Sequence, residues 1–386
     1  MKQKTLNFHK ITLLGFVSAF LLVNHLNAQG LAGSNSDTPV TNSTDTARMQ
    51  PVPESQTQKA IACVASGDSK FTSGDADGAI ADYARALDLD SNLLSACYNR
   101  AIVRQSKGDL DGALSDFNHA LAISPQLASA YFNRGSIKQA KSDLAGALAD
   151  LNRGLELNPK YAKAYITRGD IKQAMGDSSG ALADYGQAVQ LDPKLAAAYK
   201  TRADMQIGTV NTGGTLDGAL DGAIADYDHV LALDPTNTMA LLSRGYAKGN
   251  MADMEGALAD CNRALELDPR MTKAYLLRGI IKSMTRDNLG AVADFTRVLE
   301  VMPDNNDVYA YRAQAEIMSH DYTATVADCT RVIDSNTNTA YAYNLRACAE
   351  VLDGDIKGAR ADHKKAHELN PTQYPDERDD NSSGVR

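Results

Sequence analysis

The sequence predicts an all-α chain built as an α-solenoid, and three observations carry that prediction. Prolines at 125, 159, 193, 235, 269 and 303 stand 34, 34, 42, 34 and 34 residues apart, and Pro371 follows two further periods of 34. Each period holds two apolar stripes at helical spacing, one through Tyr131, Arg134, Gly135 and Lys138 and one through Ala147, Leu151, Gly154 and Leu155. Between the stripes lies a short break such as "KGDLDG" at Lys107 to Gly112. A period of this length marks a repeat array, because one such unit buries its core only against its neighbours.

In chain order, residues 1–28 read as a secretory signal peptide. Lys2, Lys4 and Lys10 precede an apolar run from Ile11 to Val23, and Ala28 offers a small-residue exit before Gln29. The run is short for a bilayer span. Cleavage would remove three lysines and no acid, taking the net charge from -9 to -12. A cleaved segment implies an exported protein, periplasmic or secreted; an uncleaved one would be an anchor and the chain's one contact with a membrane. Residues 29–59, rich in Ser, Thr and Pro, read as a disordered linker.

Nine units follow, at 60–93, 94–127, 128–161, 162–195, 196–237, 238–271, 272–305, 306–339 and 340–373. In eight of them an Asp ends the break: Asp75, Asp109, Asp143, Asp177, Asp253, Asp287, Asp321 and Asp355. A carboxylate just before a helix accepts from free backbone N–H groups and favours the positive helix end. The unit-ending Pro stops the second helix. The fifth unit is eight residues too long, the excess lying in "IGTVNTGGTLDGALDG" from Ile207 to Gly222, which reads as a flexible loop between helices. Two uses fit such a loop: a tolerated insertion, or a contact with a partner. Residues 374–386 read as a polar tail, and His363, Lys364, Lys365 and His367 give the last helix a wettable face.

These residues resemble the tetratricopeptide repeat family. Its hallmark residues stand in place: Tyr131, Tyr165, Tyr199, Tyr275, Tyr309 and Tyr343 early in the first helix; Gly135, Gly169, Gly245 and Gly279 at a close approach; Ala79, Ala113, Ala147, Ala181, Ala223, Ala257, Ala291 and Ala359 early in the second; and "ALELDP" at Ala264 to Pro269. The resemblance covers residues 60–373. It implies a right-handed superhelix of helical hairpins whose first helices line a concave groove that binds a protein or peptide. On that geometry the groove is lined by Tyr98, Phe132, Ile166, Lys200, Leu242, Leu276, Ala310 and Asn344, with Met239, Tyr246 and Ile280 nearby. The Lys and Asn set by which some relatives clamp a terminal carboxylate is missing, because Lys200 is followed at that spacing by Asp204.

Where the family often has an apolar residue, this sequence has Arg100, Arg134, Arg168, Arg202, Arg244, Arg278, Arg312 and Arg346. Every unit also carries an Asp in its second helix: Asp82, Asp116, Asp150, Asp184, Asp226, Asp260, Asp294, Asp328 and Asp362. A buried guanidinium without an acceptor is expensive, so recurrent Arg demands a recurrent acid. The expectation is a structural ladder of ion pairs, typified by Arg134 with Asp150, Arg168 with Asp184 and Arg278 with Asp294, across the seam within a unit or to the next. Four residues after the Arg stands a second cation, Arg104, Lys138, Lys172, Lys248 or Lys282, which needs solvent or another acid. Units eight and nine have Glu316 and Glu350 there instead, an opposite charge for Arg312 and Arg346. A basic strip for an acidic ligand is the competing use of these arginines.

With 48 acidic against 39 basic residues and 6% aromatics, the composition disfavours a nucleic-acid partner. Cys63, Cys97, Cys261 and Cys329 fall where other units carry Tyr, Leu or Phe, and are expected to pack as small apolar residues; Cys329 with Cys348 is the one pair spaced for a bridge. "GDADG" and "GDLDG" lack the full calcium-ligand series and read as turns and caps. No catalytic residues, metal site or cofactor motif is expected. The expected function is that of an exported, non-enzymatic scaffold for protein–protein or protein–peptide interaction, such as an envelope assembly factor. The alternative is a groove-based carrier of a small or glycan ligand. Partner identity and oligomeric state are not written in the residues.

Overall fold

The computed structural model describes residues 56–211, 218–336 and 339–375. Among them are eighteen helices and no strand. In chain order these are α1 Gln56–Thr72, α2 Ala76–Leu89, α3 Leu94–Ser106, α4 Leu110–Ile123, α5 Ala128–Ala140, α6 Leu144–Leu157, α7 Ala162–Ala174, α8 Ser178–Leu191, α9 Ala196–Asn211, α10 Ala219–Leu233, α11 Thr238–Asn250, α12 Met254–Leu267, α13 Thr272–Met284, α14 Asn288–Val301, α15 Asn306–Met318, α16 Tyr322–Ser335, α17 Ala340–Asp353 and α18 Ile356–Leu369. From the second unit on, every first helix starts on the first residue of its predicted unit. The chain divides into two compact units, one ending at Arg202 and the other beginning at Ala203, so the division falls inside α9.

The eight break aspartates all cap. Asp143, for example, accepts a bond of 2.9 Å from the backbone N–H of Gly146, three residues on. That third residue is Gly in seven of the eight caps, where the capping carboxylate lies within contact of the space a Cβ would fill; in α16 it is Ala324, still bonded to Asp321 at 3.1 Å. The residue before each cap is left-handed. Gly74, Gly108, Gly176 and Gly354 serve in four repeats, and Ser142, Ala252, Arg286 and His320 hold φ of 63° to 68° in the others. Seven of the nine second helices end on an Asp or Asn, with Ser124 and Met302 in the other two: Asp268 accepts from the N–H of Arg270 at 3.0 Å, and the Pro between them cannot continue the helix.

Each hairpin closes on small residues. Ala79, Ala113, Ala147, Ala181, Ala223, Ala257 and Ala291 have no exposed surface. Gly169 of α7 has the Tyr185 ring of α8 2.5 Å from where a Cβ would stand, so the aromatic of the second helix seats directly on first-helix backbone. Cys97, Cys261 and Cys329 are buried in the same seams, Cys63 is half-buried and Cys348 exposed, and none of the five is in a disulfide, so Cys329 and Cys348 are not bridged.

Three boundaries differ from expectation. Helix α1 begins at Gln56, inside the linker predicted over 29–59; Ala60 and Val64 on its inner face pack with Tyr83 and make the earlier turn worth forming. The insertion read as a loop over 207–222 is helical at both of its described ends, because α9 runs on to Asn211 and α10 starts at Ala219. Ile207 and Leu220 are 2% and 1% exposed, so both helices gain burial by extending. Within the tail, Tyr374 is buried, and its carbonyl accepts from His367 Nδ1 at 2.9 Å. The signal segment, most of the linker and residues 376–386 lie outside the described residues.

Candidate functional site

The arginines form rungs of one geometry. In seven repeats the Arg of the first helix donates through Nε and Nη2 to both oxygens of the Asp sixteen residues on, in the second helix of the same repeat, at 2.5 to 2.9 Å. This brings together Arg134 with Asp150, Arg168 with Asp184 and Arg278 with Asp294. Such parallel bonds are among the stronger polar contacts and fix orientation as well as distance. The Asp side chains are buried, while the Arg side chains stay about a fifth exposed. The bond to Asp150 raises the affinity of Arg134 for its proton, against the opposing effect of burial.

The second cation reaches the same carboxylate. Arg104, Lys138, Lys172, Lys248 and Lys282 stand 2.8 to 2.9 Å from Asp116, Asp150, Asp184, Asp260 and Asp294. Two cations therefore share one acid in these five repeats, and their mutual repulsion along the helix is relieved. In the first repeat Ser66 stands in the Arg place, and Asp82 takes bonds from Lys70 at 2.7 Å and Ser66 at 2.6 Å, which hold its carboxyl below the usual range.

The third arm links repeats. Arg134 Nη1 donates to Asn118, Arg168 to Asn152 and Arg278 to Asn262, each sixteen residues earlier in the second helix of the preceding repeat, at 2.8 to 2.9 Å. Arg244 meets Asp228 at 2.6 Å, and Arg312 and Arg346 meet the hydroxyls of Thr296 and Thr330 at 3.1 and 2.9 Å. Each of these guanidiniums ties three helices. The family tyrosines complete the rung: Arg168 lies over the Tyr165 ring at 5.2 Å, and Tyr165 donates to the Pro159 carbonyl of the preceding turn at 3.2 Å.

The predicted groove residues separate into two groups. Tyr98, Ile166, Lys200 and Met239 are partly exposed, as are Ala310 and Asn344. Phe132, Leu242, Tyr246, Leu276 and Ile280 are 3% to 7% exposed and belong to the core. Phe132 shows why: the missing side chain at Gly154 leaves a slot for its ring, which stacks on Tyr161 at 4.8 Å. The same first-helix place is thus surface or core according to what the facing helix leaves open.

A polar pairing in the first helices escaped the sequence reading. Tyr83 donates to Asp68 at 2.7 Å, Tyr185 to Asp170 at 2.8 Å and Tyr227 to Asp204 at 2.5 Å. The signal was available: the three repeats with Tyr at this second-helix place are the three with Asp at the matching first-helix place. Asn99 joins Asp68 at 2.9 Å, and Asn133 donates to the Tyr98 hydroxyl of the preceding repeat at 3.0 Å. Burial pushes the Asp170 carboxyl up, with the Tyr185 bond acting the other way. Among the described residues no group of three His, Cys, Asp or Glu converges to hold a metal ion.

Residues 94–127, 128–161, 162–195 and 240–271 each match the family model of the tetratricopeptide repeat. Over these four segments the chain carries tetratricopeptide repeats. The α1–α2, α13–α14, α15–α16 and α17–α18 hairpins share the Asp cap and the buried second-helix Asp with these four, whereas α10 starts from Gly218 without a side-chain cap. No curated protein matches the chain. Among solved structures, the tetratricopeptide repeat protein from Parabacteroides merdae ATCC 43184 is 22% identical over 63% of this chain and 93% of its own, with a TM-score of 0.47. YrrB, described as a TPR protein with an unusual peptide-binding site, is 20% identical over 50% and 95%, with a TM-score of 0.43. PilF of Pseudomonas aeruginosa is 17% identical over 57% and 96%, with a TM-score of 0.48.

Proposed function

We propose that the protein is an exported, non-enzymatic scaffold that holds a protein or peptide segment along its first helices. The observation that carries this reading is the regular presentation of surface. The rungs hold first helices in register within each unit, and six of the first helices offer a partly exposed side chain along this run, while Phe132 and Leu276 are core. In the unit ending at Arg202 these are Tyr98, Ile166 and Lys200; in the unit beginning at Ala203 they are Met239, Ala310 and Asn344. A partner laid along either series meets contacts one or two repeats apart, which suits an extended chain better than a compact ligand. Protein–protein interaction is the general role of tetratricopeptide repeats, and the arginines are already engaged by acids, which leaves little for a basic strip to offer an acidic ligand. Export rests on residues 1–28, and N-terminal sequencing of the protein recovered outside the cytoplasm tests it.

The interaction itself is tested by selecting peptides from a displayed library against the protein and mapping the bound peptide by hydrogen exchange. The expected footprint covers α3, α7 and the start of α9 in the unit ending at Arg202. Changing Tyr98 and Lys200 to Ala with Ile166 to Ser weakens binding at least about tenfold, with folding of the variant checked separately because Tyr98 also accepts from Asn133 and packs on Phe117. A footprint confined to the second helices, or binding indifferent to the three changes, refutes the reading. Phe132 and Leu242 are unsuitable probes because both are core.

A further inference from the structure

Two rungs invert the charge balance of the others. In five repeats the rung Asp meets two cations, but in α15 and α17 the second cation is replaced by Glu316 and Glu350, so one guanidinium faces two carboxyl groups. Arg312 Nε lies 2.7 Å from Asp328 Oδ2 and 3.4 Å from Glu316 Oε1. Glu316 is 5% exposed. Its Oε2 is buried with no hydrogen-bond partner, and the Oε2 of Glu350 is buried and unpartnered in the same way. The charged groups facing Glu316 are Arg312 on its own helix and Asp328 and the capping Asp321 on α16, with the Cys329 thiol against the same cluster. Those facing Glu350 are Arg346 on its own helix and Asp362 and Asp355 on α18.

A second ionised carboxylate in such a place has neither water nor a cation of its own, so the neutral acid is the form that fits. We infer that the last two repeats close by taking up protons at Glu316 and Glu350, making this end of the array a proton-linked clasp that loosens as the pH rises. The inference is independent of the groove reading. Burial, with Asp328 adding to it and Arg312 opposing, pushes Glu316 from the usual 4.5 up to about 8, and burial raises Glu350 as well. Above the unfolded value the closed form carries a proton that the open form lacks. The stability this proton confers is therefore complete below the unfolded value and is lost as pH rises to that of the closed form. The five rungs with two cations contain no such carboxyl; among the described residues the other acid that burial raises, Asp170 in α7, lies outside the rungs.

The test uses the full chain. A carbon-13 titration of the glutamate carboxyls reads Glu316 directly, and the inference expects a midpoint above about 6. Hydrogen exchange, corrected for the intrinsic rate, is then compared at pH 5.5 and 8.5. Protection over 306–369 should fall at least about tenfold in the native protein, while protection over 94–161 changes less than about twofold. Glu316→Gln with Glu350→Gln should abolish the difference, and Glu316→Lys, which restores the two-cation rung, should reduce it. A Glu316 midpoint below about 5, or an equal loss of protection in native protein and double variant, overturns the inference. Should the double variant fail to fold, the titration of the native protein decides alone.

Discussion

Cutting one rung should cost far more than removing it whole. Asp184 accepts from Arg168 Nε at 2.9 Å, Arg168 Nη2 at 2.6 Å and Lys172 Nζ at 2.8 Å. Its side chain is 5% exposed, against 18% and 22% for the two cations. Asp184→Leu removes three charge-assisted bonds. Each is worth roughly 1.5 to 3 kcal/mol net, but they share one acceptor and do not add, so the expected loss is about 3 to 5 kcal/mol. Arg168→Met is milder, about 2 to 3 kcal/mol, because Lys172 stays on the carboxylate while the bond to Asn152 is lost. In the double variant no charge is stranded, since Lys172 can turn its ammonium to water, and the loss falls to about 1 kcal/mol with a coupling of about 2 to 3 kcal/mol. Urea unfolding with m-values checked gives the three numbers. Hydrogen exchange over 162–195 shows whether the loss is local, which matters because arrays need not unfold in one step. Single effects below 1 kcal/mol that add in the double variant would refute a buried, coupled rung.

Further outcomes follow from the turns, the thiols and the tail. Ala252, Arg286 and His320 hold left-handed backbone, so changing any one to Gly should stabilise by roughly 0.5 to 1 kcal/mol in thermal or urea unfolding, whereas Gly108→Ala should destabilise by about 1 kcal/mol. At pH 8 an alkylating reagent should label Cys348 quickly and Cys63 more slowly. Cys97, pushed up to about 11 by burial, and Cys261 and Cys329, pushed up to about 12, should react only on unfolding, so rapid labelling of Cys261 in native protein would contradict the packing. Tyr374→Ala should lower stability by about 2 kcal/mol with lost protection confined to α17 and α18, because its ring is 7% exposed.

The repeat frame was legible because each unit must meet the same neighbours, so the same residue types return at the same offset. The caps were legible for the same reason: an Asp before a helix has one obvious job. Eight Arg against nine Asp at fixed offsets pointed to paired rungs, but not to the choice between pairing within a repeat and pairing to the next, which depends on reach. The third arm was hidden because its acceptors change type, from Asn118 and Asn152 to Asp228 and then Thr296 and Thr330, and share only the offset. Phe132 was misplaced because helical spacing assigns a face without saying how deep the opposite helix lets a ring sink. Gly154 was the missing clue. Tyr374 was overlooked as one aromatic in a polar stretch, yet an isolated aromatic just past a terminal helix has apolar surface within reach.

An apolar residue in place of the rung Arg would fill the seam but leave its axial position loose, because dispersion contacts are non-directional. The guanidinium has five donors in a fixed plane. Two lock the hairpin through the Asp, and a third measures the step to the preceding repeat. Where that step lacks an acceptor, as at Ala84 sixteen residues before Arg100, the repeat keeps its hairpin lock and loses only the measured step. Register errors accumulate along an array, since every repeat takes its position from the one before, and a bonded step limits each error separately. A scaffold reading an extended partner needs this more than it needs added stability, because contacts spaced one repeat apart are useful only if the spacing is constant. The small net energy expected from a buried pair therefore fits its persistence in seven described repeats, with specificity of register as the property retained.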